Sequence, residues 1–167
     1  MPLTGRCWKF GDNVPTDAIV RSDLVFGPMS EMVAHALEHL DPRFPAEVRP
    51  GDLLVAGRHF GQSSGRAIAA RVLRATGIAG VVAETFARTF YRNGFEIGLP
   101  LLECPGVTGL VEGGDVLTVD VATGEVVNET RGARLRGRPA SPFLLEMLEA
   151  GGLIPLAARL AEGDPST

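Results

Sequence analysis

The stretch Leu53-Leu54-Val55-Ala56-Gly57-Arg58-His59-Phe60-Gly61-Gln62-Ser63-Ser64-Gly65-Arg66, continued to Thr76, decides the reading of this chain. Four consecutive apolar residues closed off by glycine form the pattern of a short buried strand. Beyond the loop, Ile68, Ala69, Val72, Leu73 and Thr76 recur at helical spacing, and Gly77 suits the left-handed position that ends a helix. Strand, glycine-rich loop and helix in that order are the building unit of an α/β sheet. A helix over Arg66 to Thr76 points its free N–H groups and positive dipole end into the loop, which favours a carboxylate or a phosphate there. The Arg66 guanidinium is a fork matched to a carboxylate. The loop lacks the Lys-Ser/Thr ending of a P-loop. Ser63 or Ser64 serves equally well as a plain helix cap, and the residues alone leave both readings open.

Working outward, Arg6 to Phe10 predicts a strand ended by Gly11-Asp12-Asn13, and Asp17 to Val20 the start of another extended piece. Met32, Val33, Ala36, Leu37 and Leu40 predict a helix over Ser30 to Leu40, with Ser30 as N-cap and Asp41-Pro42 as stop. Pro42, Pro45 and Pro50 predict irregular structure after it. Downstream, Ile78 to Ala83 reads as a strand, Thr85 to Arg92 as a short helix closed by Asn93-Gly94, and Leu99 to Glu103 as a further strand. Period-two alternation predicts an exposed hairpin, Asp115 to Val121 and Val126 to Thr130, turning at Ala122-Thr123-Gly124-Glu125. A last helix runs from Pro142 to Ala150, before Gly151-Gly152. The tail from about residue 160 to residue 167 is expected to be frayed. Without a repeat or a long linker, residues 1–167 read as one α/β domain whose strand order the pattern does not disclose.

Composition narrows the function. With 45% hydrophobic and 22% charged residues over 167 positions, the chain is globular rather than disordered. Sixteen basic against 20 acidic residues give a net charge of −4, so nucleic acid and anionic membrane surfaces are not expected partners. Cys7 and Cys104 are the only cysteines, too few to ligate an iron–sulfur cluster or build a disulfide framework, and a reducing cytoplasm is the expected location. No apolar run approaches the roughly 18 residues of a membrane span, and Met1 to Val14 carries no signal-peptide core. The 21 glycines and 12 prolines imply many tight connections. His35 and His39 stand at i, i+4, the spacing of a zinc pair, without the glutamate of an HExxH motif, and read as solvated, as do Glu31, Glu38, Glu146 and Glu149. Asp12, Asn13 and Thr16 suit a side-chain-bonded turn, while Asp17 before an apolar stretch is placed to orient a catalytic group.

Several long strings then occur in one order: Trp8 to Ile19 (WKFGDNVPTDAI), Asp41 to Asp52 (DPRFPAEVRPGD), Ala83 to Asn93 (AETFARTFYRN), Gly98 to Cys104 (GLPLLEC) and Leu148 to Pro155 (LEAGGLIP). Over nearly its whole length the chain resembles the small subunits of 3-isopropylmalate dehydratase (isopropylmalate isomerase), the separate-chain equivalent of the aconitase swivel domain. The resemblance implies a three-layer β/β/α swivelling domain that docks on a large subunit carrying a [4Fe–4S] cluster. One open iron of that cluster acts as a Lewis acid on the substrate. It implies no cofactor and no metal ligand on this chain. The implied reaction is the interconversion of 2-isopropylmalate and 3-isopropylmalate by loss and re-addition of water, in leucine biosynthesis.

Residue by residue, the resemblance carries a serine base onto Ser64, the carboxylate-binding arginine onto Arg66 and the aspartate of a T-D-x-I motif onto Asp17. The family loop F-G-C-G-S-S-R-E-H-A reads F-G-Q-S-S-G-R-A-I-A here, so Ser63 stands on a family glycine, Gly65 on a family serine, and Ala67 and Ile68 on Glu and His. Ser63 and Gly65 are taken with the loop as substrate-binding positions. A serine base needs nearby positive charge, which the helix N-terminus and Arg66 supply. Where relatives carry a Tyr-Leu stretch, this chain has Ser22-Asp23-Leu24-Val25-Phe26-Gly27-Pro28, and Leu24, Val25 and Phe26 suit an apolar substituent such as isopropyl. Only Arg21, just upstream, is at hand for a third carboxylate. The alternatives are a paralogous dehydratase subunit for another 2-hydroxydicarboxylate and a non-catalytic binding or regulatory subunit. A phosphohistidine carrier is disfavoured because Gly65 stands where its histidine belongs.

Overall fold

The protein is described here from a computed structural model, over residues 2–163. Its strands are Leu3–Lys9 (β1), Leu53–Ala56 (β2), Gly80–Ala83 (β3), Leu101–Glu103 (β4), Val116–Val119 (β5), Glu125–Asn128 (β6) and Ala133–Arg136 (β7). They make one sheet in the order β4-β3-β2-β1-β5-β6-β7. The seven-residue β1 has two partners: Cys7, Trp8 and Lys9 pair in parallel with Leu53, Leu54 and Val55, while Leu3 to Arg6 pair antiparallel with Val119 to Val116. On one side of β1 the sheet is therefore parallel and on the other antiparallel. The two outer edges meet: the Arg138 N–H donates to the Glu103 carbonyl at 2.8 Å, closing an antiparallel bridge between β4 and the chain leaving β7. The sheet curls on itself, and with the helices this gives the β/β/α arrangement.

The helices are Thr16–Ile19 (α1), Met29–Ala34 (α2), Arg43–Glu47 (α3), Ile68–Ala75 (α4), Arg88–Glu96 (α5), Val107–Leu110 (α6), Pro142–Ala150 (α7) and Leu153–Ala161 (α8). β2 and β3 are buried at every position, which explains their uninterrupted apolar sequence. Phe44, Phe60, Phe90 and Phe95 are the largest fully buried side chains of a single core. Trp8 explains part of the motif pattern: its indole N–H donates to Asp52 at 2.9 Å, and Arg6 and Arg43 lie over its ring at 5.1 and 5.9 Å.

Several sequence expectations change. Residues 17–19 are not extended, because the Pro15 carbonyl accepts from Ala18 and Ile19 and closes α1, and only Val20 has extended backbone. The helix expected to reach Leu40 starts after Pro28, not at Ser30, and stops at Ala34. Leu37 then takes a φ of 54° and donates its N–H to the Ile19 carbonyl, which buries its side chain completely. Pro45 is compatible with α3 because it stands in the first turn, where N–H groups have no intrahelical partner. Asn93 and Gly94 do not close the third helix; they are buried inside α5, where a Cβ on Gly94 would lie 2.4 Å from Leu101 Cδ1. The hairpin of β5 and β6 is not fully exposed, since Leu117, Val119, Val126 and Asn128 are buried. Strand β7 and helices α6 and α8 were not anticipated. Residues 160 and 161 of the tail expected to fray are helical, and residues 164–167 lie outside the described residues.

Candidate active site

The loop between β2 and α4 is gripped from three sides. Along one side, residues 13–16 run beside it: Asn13 N donates to the Arg58 carbonyl at 2.7 Å, Gly61 N to Val14 at 2.8 Å and Thr16 N to Gln62 at 2.9 Å. Beneath it, Phe60 packs edge-on against Phe90 at 5.2 Å and Phe86 at 6.0 Å. Gly61, at φ 83°, is required because a Cβ there would lie 2.2 Å from the Phe90 ring. From the third side, the buried Asn93 of α5 donates its side-chain amide to the Gly65 carbonyl at 3.0 Å.

Within the loop, Ser63 has a φ of 95°, a left-handed backbone that glycine adopts freely and serine does not. Ser64 is half-buried; its N–H donates to Thr16 Oγ1 at 3.2 Å, and its Oγ accepts from the Arg66 N–H at 3.2 Å. The helix expected from Arg66 begins at Ile68, and neither serine caps it: Ala67 is its N-cap, with no side-chain bond. Gly65 keeps an ordinary φ, and a Cβ on it would meet only Thr89 Cγ2, at 3.3 Å.

A cavity of about 320 Å³ opens over this loop. Its lining is polar at Thr16, Asp17, Ser22, Ser64 and Arg66 and apolar at Val20, Val25, Phe26 and Ile68. Asp17, Ser64, Arg66, Val25 and Phe26 thus come together as one site from three separate segments. Ser63, Gly65 and Leu24 do not line the cavity, and Leu24 is instead packed against the core. Phe26 is 92% exposed, an apolar ring left in water beside the opening. Thr16, Val20, Ser22 and Ile68 line it as well without standing out as site residues in the sequence, although Thr16 adjoins Asp17 in the T-D-A-I string.

Arg21 is not free for a substrate carboxylate. It grips Asp23 through two bonds of 3.1 and 2.8 Å and reaches Glu38 at 3.2 Å. The hydrogen bond to Arg21 holds the Asp23 carboxyl below its ordinary range. Glu38 also takes a 2.7 Å bond from His35, so this histidine belongs to the same network rather than to a metal pair.

The donor set does not fit an iron–sulfur cluster on this chain. Cys7 and Cys104 are buried free thiols, both pushed up to about 11, chiefly by burial. Among the described residues no group of three or more His, Cys, Asp or Glu could hold a metal ion. None of their helices is long and apolar enough to cross a membrane. A larger cavity of about 550 Å³ between α4, α5 and α8 has Arg71, Arg74 and Glu96 as its charged groups and no hydroxyl to act as a base.

Comparison with known proteins agrees with this fold. Residues 29–105 match the aconitase C-terminal domain family. The chain is 46% identical over 162 residues to the isopropylmalate/citramalate isomerase small subunit of Methanocaldococcus jannaschii, covering 96% of each. It is 45% identical over 159 residues to a 3-isopropylmalate dehydratase small subunit of Archaeoglobus fulgidus, covering 95% of this chain and 98% of that one. The crystal structure of a 3-isopropylmalate dehydratase from Methanocaldococcus jannaschii superposes with a TM-score of 0.91 at 32% identity, over 97% of this chain and 96% of that one. With the curled sheet and this degree of identity over almost the full length, the chain belongs to the 3-isopropylmalate dehydratase small-subunit family.

Proposed function

We propose that this chain is the small subunit of a hydro-lyase that interconverts 2-isopropylmalate and 3-isopropylmalate, a step of leucine biosynthesis in the cytoplasm, together with a large subunit. The observation that carries the reading is the one cavity whose lining brings Ser64, Arg66 and Asp17 together with Val20, Val25, Phe26 and Ile68. The Arg66 fork pairs with a substrate carboxylate. Ser64 Oγ, its own proton lost to solvent and its alkoxide held by the nearby positive charge, takes the proton from the carbon next to that carboxylate, and Asp17 accepts a hydrogen bond that orients the reacting groups. The leaving water departs from the adjoining carbon and is re-added at its neighbour. The Lewis acid that assists its departure is a [4Fe–4S] cluster expected in the large subunit, and this chain lends it no ligand.

The apolar lining and the occupied Arg21 favour an alkyl group over a third carboxylate. At about 0.8 kcal/mol per buried CH₂, an isopropyl group gains roughly 1.5 kcal/mol over a methyl group on such a lining, about tenfold in kcat/KM. Citramalate-type substrates, named for one relative, are therefore expected to be accepted but slower. A non-catalytic binding role is not favoured, because Ser64 and Arg66 share one cavity with Asp17.

The test is co-expression with the large subunit, anaerobic cluster reconstitution and hydration of 2-isopropylmaleate followed by loss of alkene absorbance. Activity in the wild type and its loss in Ser64→Ala are expected. Equal activity of the two proteins removes Ser64 as the base. Inactive wild type on every dicarboxylate tried sinks the enzymatic reading.

A further inference from the structure

The 65–66 peptide is held at both ends. Its carbonyl, on Gly65, accepts from Asn93 Nδ2 at 3.0 Å, and its N–H, on Arg66, points to Ser64 Oγ at 3.2 Å. A trans peptide is planar, so gripping one end orients the other. The grip matters here because residue 65 is a glycine, whose flanking peptides rotate most freely, and because nothing crowds its Cα apart from one methyl group of Thr89. Thr16 restrains the preceding residue through the Ser64 N–H, and among the described residues no other hydrogen bond reaches the 65–66 peptide.

Asn93 is also placed where its own element does not need it. Asparagine is a weak helix former, yet it stands buried in the interior of α5, between Tyr91 and Phe95 that pack on each other at 4.9 Å. One turn earlier, Phe90 seals against Phe60 and Gly61 of the same loop, so the asparagine projects from a helix already locked to its target.

We propose that Asn93 is a positioning residue for the Ser64 base. By holding the Gly65 carbonyl it keeps the Arg66 N–H aimed at the Ser64 hydroxyl oxygen. That N–H donates to the alkoxide that Ser64 must be to act as a base, its own proton having gone to solvent, and this is the same kind of stabilisation that backbone donors give an oxyanion. Without Asn93 the glycine peptide rotates, the donor leaves the oxygen and proton removal slows, while the carboxylate contact of Arg66 persists. The inference rests on Ser64 being the base.

The tests use the reconstituted two-subunit enzyme and the free chain. Asn93→Ala is expected to lower kcat about 10–100-fold with KM changed less than threefold, somewhat below the loss of a directly contacting oxyanion donor. The deuterium isotope effect on dehydration of 3-isopropylmalate, labelled at the carbon that bears the isopropyl group, should rise as proton removal becomes limiting. In a Ser64→Ala background the same substitution should cost nothing further. Ser64→Ala at the wild-type rate removes the Ser64 reading and this inference together. An inactive Ser64→Ala beside an Asn93→Ala with wild-type kcat and isotope effect overturns this inference alone. So does an Asn93→Ala that only melts earlier. NMR of the wild-type chain needs no variant: the Asn93 side-chain amide protons should exchange more slowly than those of an exposed asparagine, and exchange at the exposed rate overturns the proposal.

Discussion

In β2 and β3 every side chain is buried, whereas β7 alternates half-buried with exposed residues and β5 opens on an exposed valine. The parallel half of the sheet is a sealed scaffold, and the chain leaving the carboxyl end of β2 is the loop that carries Ser64 and Arg66. This is where open parallel sheets place their ligand sites, since the strand ends and helix starts converge there. The antiparallel half is half-solvated and stabilised differently. Its buried Asp115 accepts from Arg131 at 2.7 Å, Asn128 at 2.8 Å and the Glu112 N–H at 2.9 Å, a polar knot joining β5, β6 and the turn after them. β1 therefore joins a half that presents the candidate site to a half that closes the sheet edge.

Five expected outcomes test that contrast. The largest is Ser64→Ala, expected to reduce kcat by about 10²–10⁴-fold, the usual span for a lost general base, with an unchanged melting temperature. Unfolding of that variant at lower temperature would mean that the hydroxyl is structural. Next come two core truncations read by urea denaturation. Phe60→Ala, fully buried beneath the loop, should cost about 3–5 kcal/mol and also lower kcat of the folded enzyme. Leu117→Ala, fully buried in β5, should cost about 2–5 kcal/mol and leave kcat unaltered. If both variants change kcat equally, the two halves are not functionally separate.

A smaller effect is expected from acid. Hydrogen bonds from Arg131, then Glu112 N–H and Asn128, hold the Asp115 carboxyl down at about 2, against an ordinary value of 3.8. The folded-state value is the lower one, so the stabilisation is complete above roughly pH 4 and is lost as pH falls towards 2. Amide exchange at pH 2–4 should therefore loosen β5 and β6 before β2 and β3, and uniform loosening would contradict the assignment. The smallest expected change is Phe26→Ala. A ring that is 92% exposed contributes little to folding, so stability should move by no more than about 0.5 kcal/mol. KM for isopropylmalate should rise several-fold while that for citramalate changes less, and an equal change in both would place Phe26 outside the alkyl-binding lining.

Much of this was legible where the pattern is local. β2, α4, α7 with Pro142 at its first position and Ser141 capping it, and the β5–β6 hairpin follow from side-chain period and turn residues within a dozen positions of one another. The readings that changed did so through distant packing. Asn93-Gly94 looks like a stop, but Leu101 takes the space a side chain at Gly94 would need, and Asn93 answers to Gly65 rather than to its own helix. β7 has too little apolar content to announce itself; its pairing with β6 along Ala133 to Arg136 defines it. Residues 153–161 are mostly apolar, but Gly151-Gly152 just ahead of them reads as a stop, and their contacts with α5 and α7 define the helix.

The sequence alone sets the strand, loop and helix around Ser64, the family to which these strings belong and a cysteine content too small to ligate an iron–sulfur cluster. Tertiary structure alone decided that β1 serves both halves, that Arg21 is occupied by Asp23 and Glu38, and that Asp17 and Phe26 share a cavity with Ser64 and Arg66. The physical reason is range. Periodicity and capping act over a few residues, while a cavity wall is set by which buried faces meet, and those partners lie some 40 positions apart in the chain.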